Sequence, residues 1–307
     1  MRRFSAFIFR FTIFIVFIWI LGLGLSDRWY WTQWLEWIPT LSVLLLLLIT
    51  AIALLSTHKK KEAMILVILF CGLITWFLFI ENRVFSTSKA TGGFRIAAWT
   101  MSHSKKEVSK ESAMLLVHLD ADITLLTHGW YVRGEPVIKD WLGTSGKRLM
   151  SGPFTLLTTL RPLEVRTLVA SDGIYISLYR LDTAEQLGKE LVIYAIDLPS
   201  NLNESRKNIV QRAKRLLHQV DAPEPNMVIG DFNMTRNSQS MIRFFPKLTD
   251  AWDLAGVGWS YSYHRAFPLF HIDHILLNTD FKPIAYELQD PEFGRHCIQV
   301  LELAQQK

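Results

Sequence analysis

The chain has 307 residues, of which 50% are hydrophobic and 20% are charged. This content is too apolar for a disordered chain and high for a purely soluble one. The length suffices for a membrane region plus one ordinary domain, and two cysteines, Cys71 and Cys297, exclude a disulfide framework and a cysteine-based zinc site.

The hydrophobic residues are concentrated near the N-terminus in three runs, at 4–25, 37–55 and 63–80. Each run is about as long as the ~20 residues that a helix needs to cross the hydrocarbon core. Because no backbone polar group can stay unpaired in lipid, the runs are predicted to be helices. We therefore expect a three-span anchor over residues 1–83, a linker over 84–93 and one further domain over 94–307.

The basic residues predict the orientation of this anchor. Arg2, Arg3 and Arg10 lie at the start of the first run, and the segment 58–61 places three lysines between the second and third runs. Positive residues favour the cytoplasmic side. The N-terminus is thus predicted to be cytoplasmic, and everything after Arg83 to be extracytoplasmic, in the periplasm or at the cell surface. The segment 26–36 is expected to be an aromatic-rich loop at the outer membrane surface.

The remaining 224 residues are almost neutral, with 25 basic and 24 acidic side chains. Tight nucleic-acid binding normally needs a basic face. The charge therefore does not favour a nucleic acid as the partner of this domain, and the membrane is the partner that the sequence predicts.

From residue 94 onward the pattern alternates between strands and a few helices. In 173–181, Ile174, Ile176 and Leu178 alternate with more polar residues, as in a half-buried strand. The clearest helix is 203–220, with one apolar face and an opposite charged face that is predicted to be solvent-exposed and that includes Arg206. Many strands with few helices predict two packed sheets with helices outside.

Three short motifs could carry chemistry. They are Gly230-Asp231-Phe232-Asn233 after a strand, Ile272-Asp273-His274 entering a strand, and Gly294-Arg295-His296 before the last strand. A carboxylate and an amide two residues apart point the same way and could grip a water or a phosphate oxygen. The first motif alone also fits an ordinary turn, and single histidines, as in the other two, are more often structural or exposed than catalytic.

Taken together, the order and strand context of these motifs resemble the endonuclease/exonuclease/phosphatase superfamily, the DNase I-like fold. The sequence is similar to the membrane-anchored branch of that group. The resemblance implies a two-sheet β-sandwich flanked by helices. It also implies hydrolysis of a phosphodiester or phosphomonoester, normally with Mg²⁺.

The resemblance assigns roles to four residues. Asp231 would orient or activate the attacking water, and Asn233 would hold the phosphate. Asp273 would pair with His296, which would contact the phosphate.

Four other positions depart from the family pattern. Thr100 stands where an asparagine is usual, His128 replaces the glutamate that is the chief metal ligand, Asp197 replaces a His or Tyr, and Arg295 replaces an aspartate. Mg²⁺ prefers carboxylate oxygens, and a fixed positive charge repels it. We therefore expect a weakened metal site.

Two interpretations stay open at this point. In the first, the chemistry has moved: His128 with Asp197, Asp231 or Asp273 would bind Zn²⁺ or Mn²⁺, or Mg²⁺ weakly, while Arg295 clamps a phosphate. In the second, catalysis and the metal are lost, and the domain binds a phosphate-containing ligand or acts as a scaffold.

Overall fold

The computed structural model describes residues 2–86, 92–101 and 108–305. The predicted linker at 84–93 therefore lies partly outside the described residues. The N-terminal region consists of α1 (Arg2–Leu25), α2 (Tyr30–Glu36), α3 (Thr40–Ser56) and α4 (Lys60–Trp76), and α4 continues as a π-helical turn at Phe77–Glu81.

Two helical stretches, Arg3–Arg28 and Lys60–Glu81, are long and apolar enough to cross a membrane. The count rises to three if α2 and α3, which are bent by 64° relative to each other, form one span. The bend lies where Pro39 precedes α3, because a proline disfavours helical backbone in the residue before it. The prediction of a loop at 26–36 was wrong: this segment holds a 3₁₀ turn at Ser26–Arg28 and the helix α2.

The rest of the chain folds into a two-sheet β-sandwich flanked by helices, which confirms the predicted fold class. In the described residues the first sheet has the order β11-β12-β1-β2-β4-β3 and the second has the order β5-β6-β7-β8-β10-β9. The strands are β1 (Phe94–Thr100), β2 (Ile123–Thr127), β3 (Lys147–Ser151), β4 (Phe154–Thr158), β5 (Pro162–Ser171), β6 (Ile174–Leu181), β7 (Leu191–Asp197), β8 (Met227–Asp231), β9 (Thr249–Asp250), β10 (Asp273–Leu277), β11 (Pro283–Gln289) and β12 (Ile298–Leu303).

Helices flank the two sheets of the sandwich. They are α5 (Ser109–Leu119), α6 (Pro136–Leu142), α7 (Ala184–Leu187), α8 (Arg206–Leu217), α9 (Gln239–Phe244) and α10 (Ala251–Ala255). The sandwich core is built from inward-facing apolar side chains of both sheets, such as Ile96 and Ile123 facing Ile193 and Ile229. Burial of this apolar surface stabilises the pair of sheets.

Strand direction brings the predicted site positions to one edge of the sandwich. The parallel strands β7 and β8 end at Asp197 and Asp231, and the antiparallel β10 begins at Asp273 beside them. In the other sheet β1 ends at Thr100, and β12 begins two residues after His296 and runs antiparallel to β1.

Arg206 is a second correction, because it is buried rather than solvent-exposed. Its guanidinium donates to the carbonyl oxygens of Pro199 and Ser200, and it lies 5.8 Å from the ring of Trp37. The N-terminal region covers the start of α8, where the side chain of Gln33 accepts the backbone N–H of Arg206. Gln33 and Trp37, which contact Arg206, are far from it in the sequence.

Candidate active site

Three carboxylates stand side by side at the edge of the second sheet. Asp197 and Asp231 are paired in register across β7 and β8, and Asp231 is paired with Asp273 across β8 and β10. Asp231 and Asp273 are buried, whereas Asp197 is partly exposed. The sheet itself therefore brings together residues that are 34 and 42 positions apart in the sequence.

The local backbone explains the Gly-Asp-Phe-Asn motif. Gly230 has φ +146°, and a Cβ placed there would lie 1.9 Å from the carbonyl oxygen of Ile196, so only glycine fits. Asn233 has φ +50°, and its N–H donates to Asp231 Oδ1 at 2.9 Å, which is the geometry of an Asx turn. The motif is thus a turn whose geometry also fixes the Asp231 carboxylate.

Asp273 and His296 form a buried pair. His296 Nδ1 lies 2.8 Å from Asp273 Oδ2, and the hydroxyl of Thr100 donates to Asp273 Oδ1 at 2.7 Å. Trp99 Nε1 donates to the carbonyl oxygen of His296, and the ring of Tyr263 packs 4.9 Å from the imidazole. These contacts fix both the position and the orientation of the His296 ring.

The charges of Asp231, Asp273 and His296 depend on one another. Burial raises the pKa of Asp231 well above its ordinary value, and the neighbouring Asp273 carboxylate raises it further. Burial would also raise the pKa of Asp273, but the charge and hydrogen bond of His296 outweigh it and hold that pKa low. Burial alone would lower the pKa of His296, but Asp273 raises it to about 9. The imidazole is therefore protonated at neutral pH.

His128 and Asp197 lie together at the rim of this group. His128 Nε2 is 2.9 Å from Asp197 Oδ2, and His128 takes a left-handed backbone conformation with φ +59° directly after β2. Asn233 donates its side-chain Nδ2 to the carbonyl oxygen of Leu198 at 2.9 Å, next to Asp197. The structure thus brings these three predicted residues into the neighbourhood of Asp231.

Arg295 is placed differently. Its side chain is exposed and makes no ion pair with the carboxylates in the part of the chain that the structure describes. Its backbone oxygen accepts the N–H of Arg265. Arg295 therefore lies at the surface beside the buried His296.

Two further residues belong to the site that the motif analysis did not assign to it. Thr100 was recognised only as a departure from the family pattern, yet its buried hydroxyl binds Asp273. The hydroxyl of Ser262 accepts the backbone N–H groups of Ile272 and Asp273, both at 3.2 Å. Ser262 lies in an irregular aromatic loop, and no sequence pattern pointed to it.

The donor groups fit a divalent cation in part. Ligand atoms of Asp231, Asp273 and His296 lie within 4.8 Å of one another. His296 Nδ1, however, is already paired with Asp273 Oδ2, and an imidazolium must lose its proton before it can bind a metal. The carboxylates of Asp197 and Asp231 and the imidazole of His128 remain; burial is the main cause of the raised pKa of Asp231, and the charges of Asp273 and Asp197 raise it further. By its chemistry this mixed oxygen and nitrogen set suits Mn²⁺ or Zn²⁺ as well as Mg²⁺, but in the described residues the three side chains do not bring one ligand atom each within 4.8 Å of one another.

The two-sheet sandwich with acidic strand ends and a buried Asp–His pair is a DNase I-like fold of the kind found in phosphoesterases. The profile described as "Endonuclease/Exonuclease/phosphatase family" matches residues 106–294, which is more than half of the chain. The chain therefore belongs to the endonuclease/exonuclease/phosphatase family, as the motifs predicted.

Solved structures agree on the fold. A mannosyl-6-phosphatase from Bacteroides thetaiotaomicron is 14% identical, with a TM-score of 0.54 over 69% of this chain and 99% of that chain. A truncated TDP2 from Caenorhabditis elegans is also 14% identical, with a TM-score of 0.55 over 69% and 97% of the two chains. A search of curated protein sequences gave no significant match. At this level of identity the similarity establishes the fold alone.

Proposed function

We propose that this protein is a membrane-anchored phosphoesterase whose domain stands outside the cytoplasm and hydrolyses a phosphodiester or a phosphomonoester. The observation that carries the proposal is the juxtaposition of Asp231, a buried carboxylate with a raised pKa, and His296, a buried imidazolium. A base and a cation side by side are what attack of water on a phosphate requires.

In this proposal Asp231 accepts the proton of the attacking water. Its Oδ1 is engaged by the N–H of Asn233, which leaves Oδ2 for the water. The raised pKa makes the carboxylate a stronger base than an exposed aspartate. The second Nδ2 hydrogen of Asn233 and the free N–H of His296 donate to phosphate oxygens, and Asp273 keeps His296 protonated and oriented.

Asp197 and His128 would hold a divalent cation, which would supply Lewis-acid stabilisation of the phosphate charge when bound. Asp231 lies next to Asp197 in the sheet and would add to the negative potential at that position. This assignment keeps the cation site separate from the Asp273–His296 pair.

Two features support the membrane part of the proposal. The N-terminal region has two or three helices that are apolar enough to span a bilayer. Lysines and arginines are concentrated at one end of these helices, which favours a cytoplasmic N-terminus. The near-neutral domain favours a phosphate-containing substrate other than nucleic acid.

The test is hydrolysis by the full chain in detergent, with a chromogenic phosphodiester and a chromogenic phosphomonoester, in Mg²⁺, Mn²⁺ or Zn²⁺. Asp231→Asn should reduce the rate by 10²-fold or more, as expected for loss of a general base. Asp280→Asn, at an exposed aspartate outside the site, is the matched control. An unchanged rate in Asp231→Asn would contradict the assigned role, and no turnover with any metal would favour the non-catalytic alternative.

A further inference from the structure

A separate cavity of about 200 Å³ lies between the N-terminal helices and the sandwich domain. Part of its wall is apolar and comes from the ends of the candidate spans, including Leu23, Ile38 and Trp76. The polar part of the wall includes Glu36, Glu81, Arg236 and His271. The residues assigned to the catalytic group do not line this cavity.

His271 is the least explained residue in this wall. Its side chain is only 4% exposed, and neither ring nitrogen has a hydrogen-bond partner among the described residues. The ring packs 4.7 Å from that of His274 and against Trp252, and burial lowers its pKa to about 3. A neutral imidazole offers one donor and one acceptor, and buried polar atoms are rarely left without partners.

The carboxylates of the wall also lack cationic partners. Glu36 accepts from Ser26 and Thr235 through the same oxygen, Oε1, and Glu81 accepts from the hydroxyls of Thr40 and Tyr261. Within the described residues neither carboxylate forms an ion pair; Arg236, in the same wall, pairs with Asp253 and donates to the backbone oxygen of Glu81. A buried carboxyl group without a counter-ion either keeps its proton or is stabilised by a bound cation, so a cation that enters this cavity would gain a favourable interaction with both groups.

The size and the walls of the cavity indicate what kind of cation. A ligand atom of His271 lies within 4.8 Å of ligand atoms of the buried Asp250 and His274, but both ring nitrogens of His274 are already bonded, to Asp250 and to the carbonyl oxygen of Met234. In the described part of the chain, His271 forms no such group with Glu36 and Glu81, as a metal ion shared across the cavity would need. Aromatic side chains of Trp37, Trp76, Tyr261 and Phe270 also line the cavity. Aromatic faces with carboxylates are a recognised environment for organic ammonium groups.

We propose that this cavity binds the ammonium-bearing head group of a membrane phospholipid, at the junction of the spans and the domain. The ammonium would lie against Glu36, Glu81 and the aromatic side chains, and His271 and Arg236 would face the phosphate. The lipid is preferred to a free amine because the apolar wall comes from span ends, at the depth where head groups stand. This inference rests on the membrane anchoring in the proposed function.

The experiment uses the full chain, purified in detergent and depleted of lipid, with thermal unfolding as the readout. Phosphatidylethanolamine should raise the melting temperature in a concentration-dependent way, and phosphatidylglycerol should bind at least tenfold more weakly. A ligand that binds only the folded state stabilises it in proportion to its saturation. Glu81→Gln keeps an acceptor for Thr40 but removes the charge, and should weaken phosphatidylethanolamine binding roughly tenfold.

Glu62→Gln, at a carboxylate of α4 outside the cavity, is the control variant and should bind as the original chain does. Equal affinity for the two lipids in the original chain would overturn the proposal, even if the variants do not fold. Soluble phosphoethanolamine binding as tightly as the lipid would overturn the lipid source. A chain that extracts from cells without detergent would overturn the anchoring itself, whereas an anchored chain without lipid preference overturns only this inference.

Discussion

Asp231 and His296 have pKa values displaced from their ordinary ranges, and the consequence is a defined pH dependence. Hydrolysis should rise with pH as Asp231 loses its proton, at a pH above the usual range of an aspartate. It should fall again near pH 9, where His296 loses its proton. The measurement is kcat/KM against pH, which reports the groups of the free enzyme.

The Asp273→Asn variant identifies the group responsible for the alkaline limb. Without the Asp273 carboxylate the proton on His296 loses its main partner, while burial still opposes the charge. The alkaline limb should therefore move from about pH 9 to well below it. An alkaline limb that stays in place in this variant would show that His296 is not the group.

The hydroxyl of Thr100 leads to a prediction about the stability of the fold. Thr100→Val keeps the shape of the side chain but removes the hydrogen bond to the buried Asp273. The variant should lose about 1–3 kcal/mol of unfolding free energy, because a buried carboxylate oxygen loses a donor. Thr100→Ser, which keeps the hydroxyl, is the control in urea unfolding. Equal stability of Val and Ser at this position would contradict the contact.

The strands β7 and β8 approach each other closely at Gly230, and this leads to a prediction about the stability of the strand pair. Gly230→Ala would place a Cβ 1.9 Å from the backbone of Ile196 at a φ that disfavours side chains. Backbone on the neighbouring strand cannot move aside, so we expect a loss of about 3 kcal/mol or more, or no folded protein. Gly134→Ala has open space around the new Cβ and should change the melting temperature little. Similar effects of the two variants would contradict the argument.

The start of α9 depends on residues at the C-terminal end of the first candidate span. Ser26 accepts the backbone N–H of Gln239, and Asp27 accepts the backbone N–H of Ser240 and the hydroxyl of Ser238. The free N–H groups at the start of a helix need such partners. The N-terminal region thus caps a helix that follows the strand of Asp231.

Asp27→Ala should therefore destabilise the folded full chain by about 1–3 kcal/mol, since it leaves buried donors unpaired. Hydrogen exchange of the α9 amides should speed up in the same variant. Asp280→Ala removes an aspartate that is half-exposed and paired with Lys189, and it serves as the control with little expected change. Unchanged exchange in α9 would show that the cap is not needed.

Sequence patterns predicted the elements that pack mainly against residues close to them in the sequence. The alternation of Ile174, Ile176 and Leu178 correctly indicated β6. The strand β5 was not predicted, because it is only partly buried and its residues do not alternate cleanly. Arg206 was predicted to be exposed because helical periodicity contains no information about α2, which covers it.

The candidate site likewise contains residues that the sequence predicted and one that it could not predict. The order of the motifs predicted Asp231, Asn233, Asp273 and His296, because each lies at or beside a strand end. Ser262 could not be found, since its role depends on a loop folding back onto the start of β10.

At the scale of the whole molecule, the N-terminal helices and the domain share buried polar contacts. Arg83 donates to the carbonyl oxygens of Trp252 and Asp253, and the Asn82 side chain accepts from Ser260. The cap of α9 adds to these contacts. The boundary drawn from hydropathy therefore crosses a hydrogen-bonded interface, and experiments on function need the full chain.

The orientation of the chain is the last prediction. The lysine-rich turn between α3 and α4 should be cytoplasmic, and the sandwich domain should lie on the opposite side, because basic loops are retained in the cytoplasm. Single cysteines are introduced as His58→Cys and Glu224→Cys, each at an exposed position, in a chain with Cys71→Ala and Cys297→Ala. In spheroplasts of an expressing bacterium, a membrane-impermeant thiol reagent should label position 224 at once. It should label position 58 only after the membrane is opened, and the reverse pattern would place the domain in the cytoplasm.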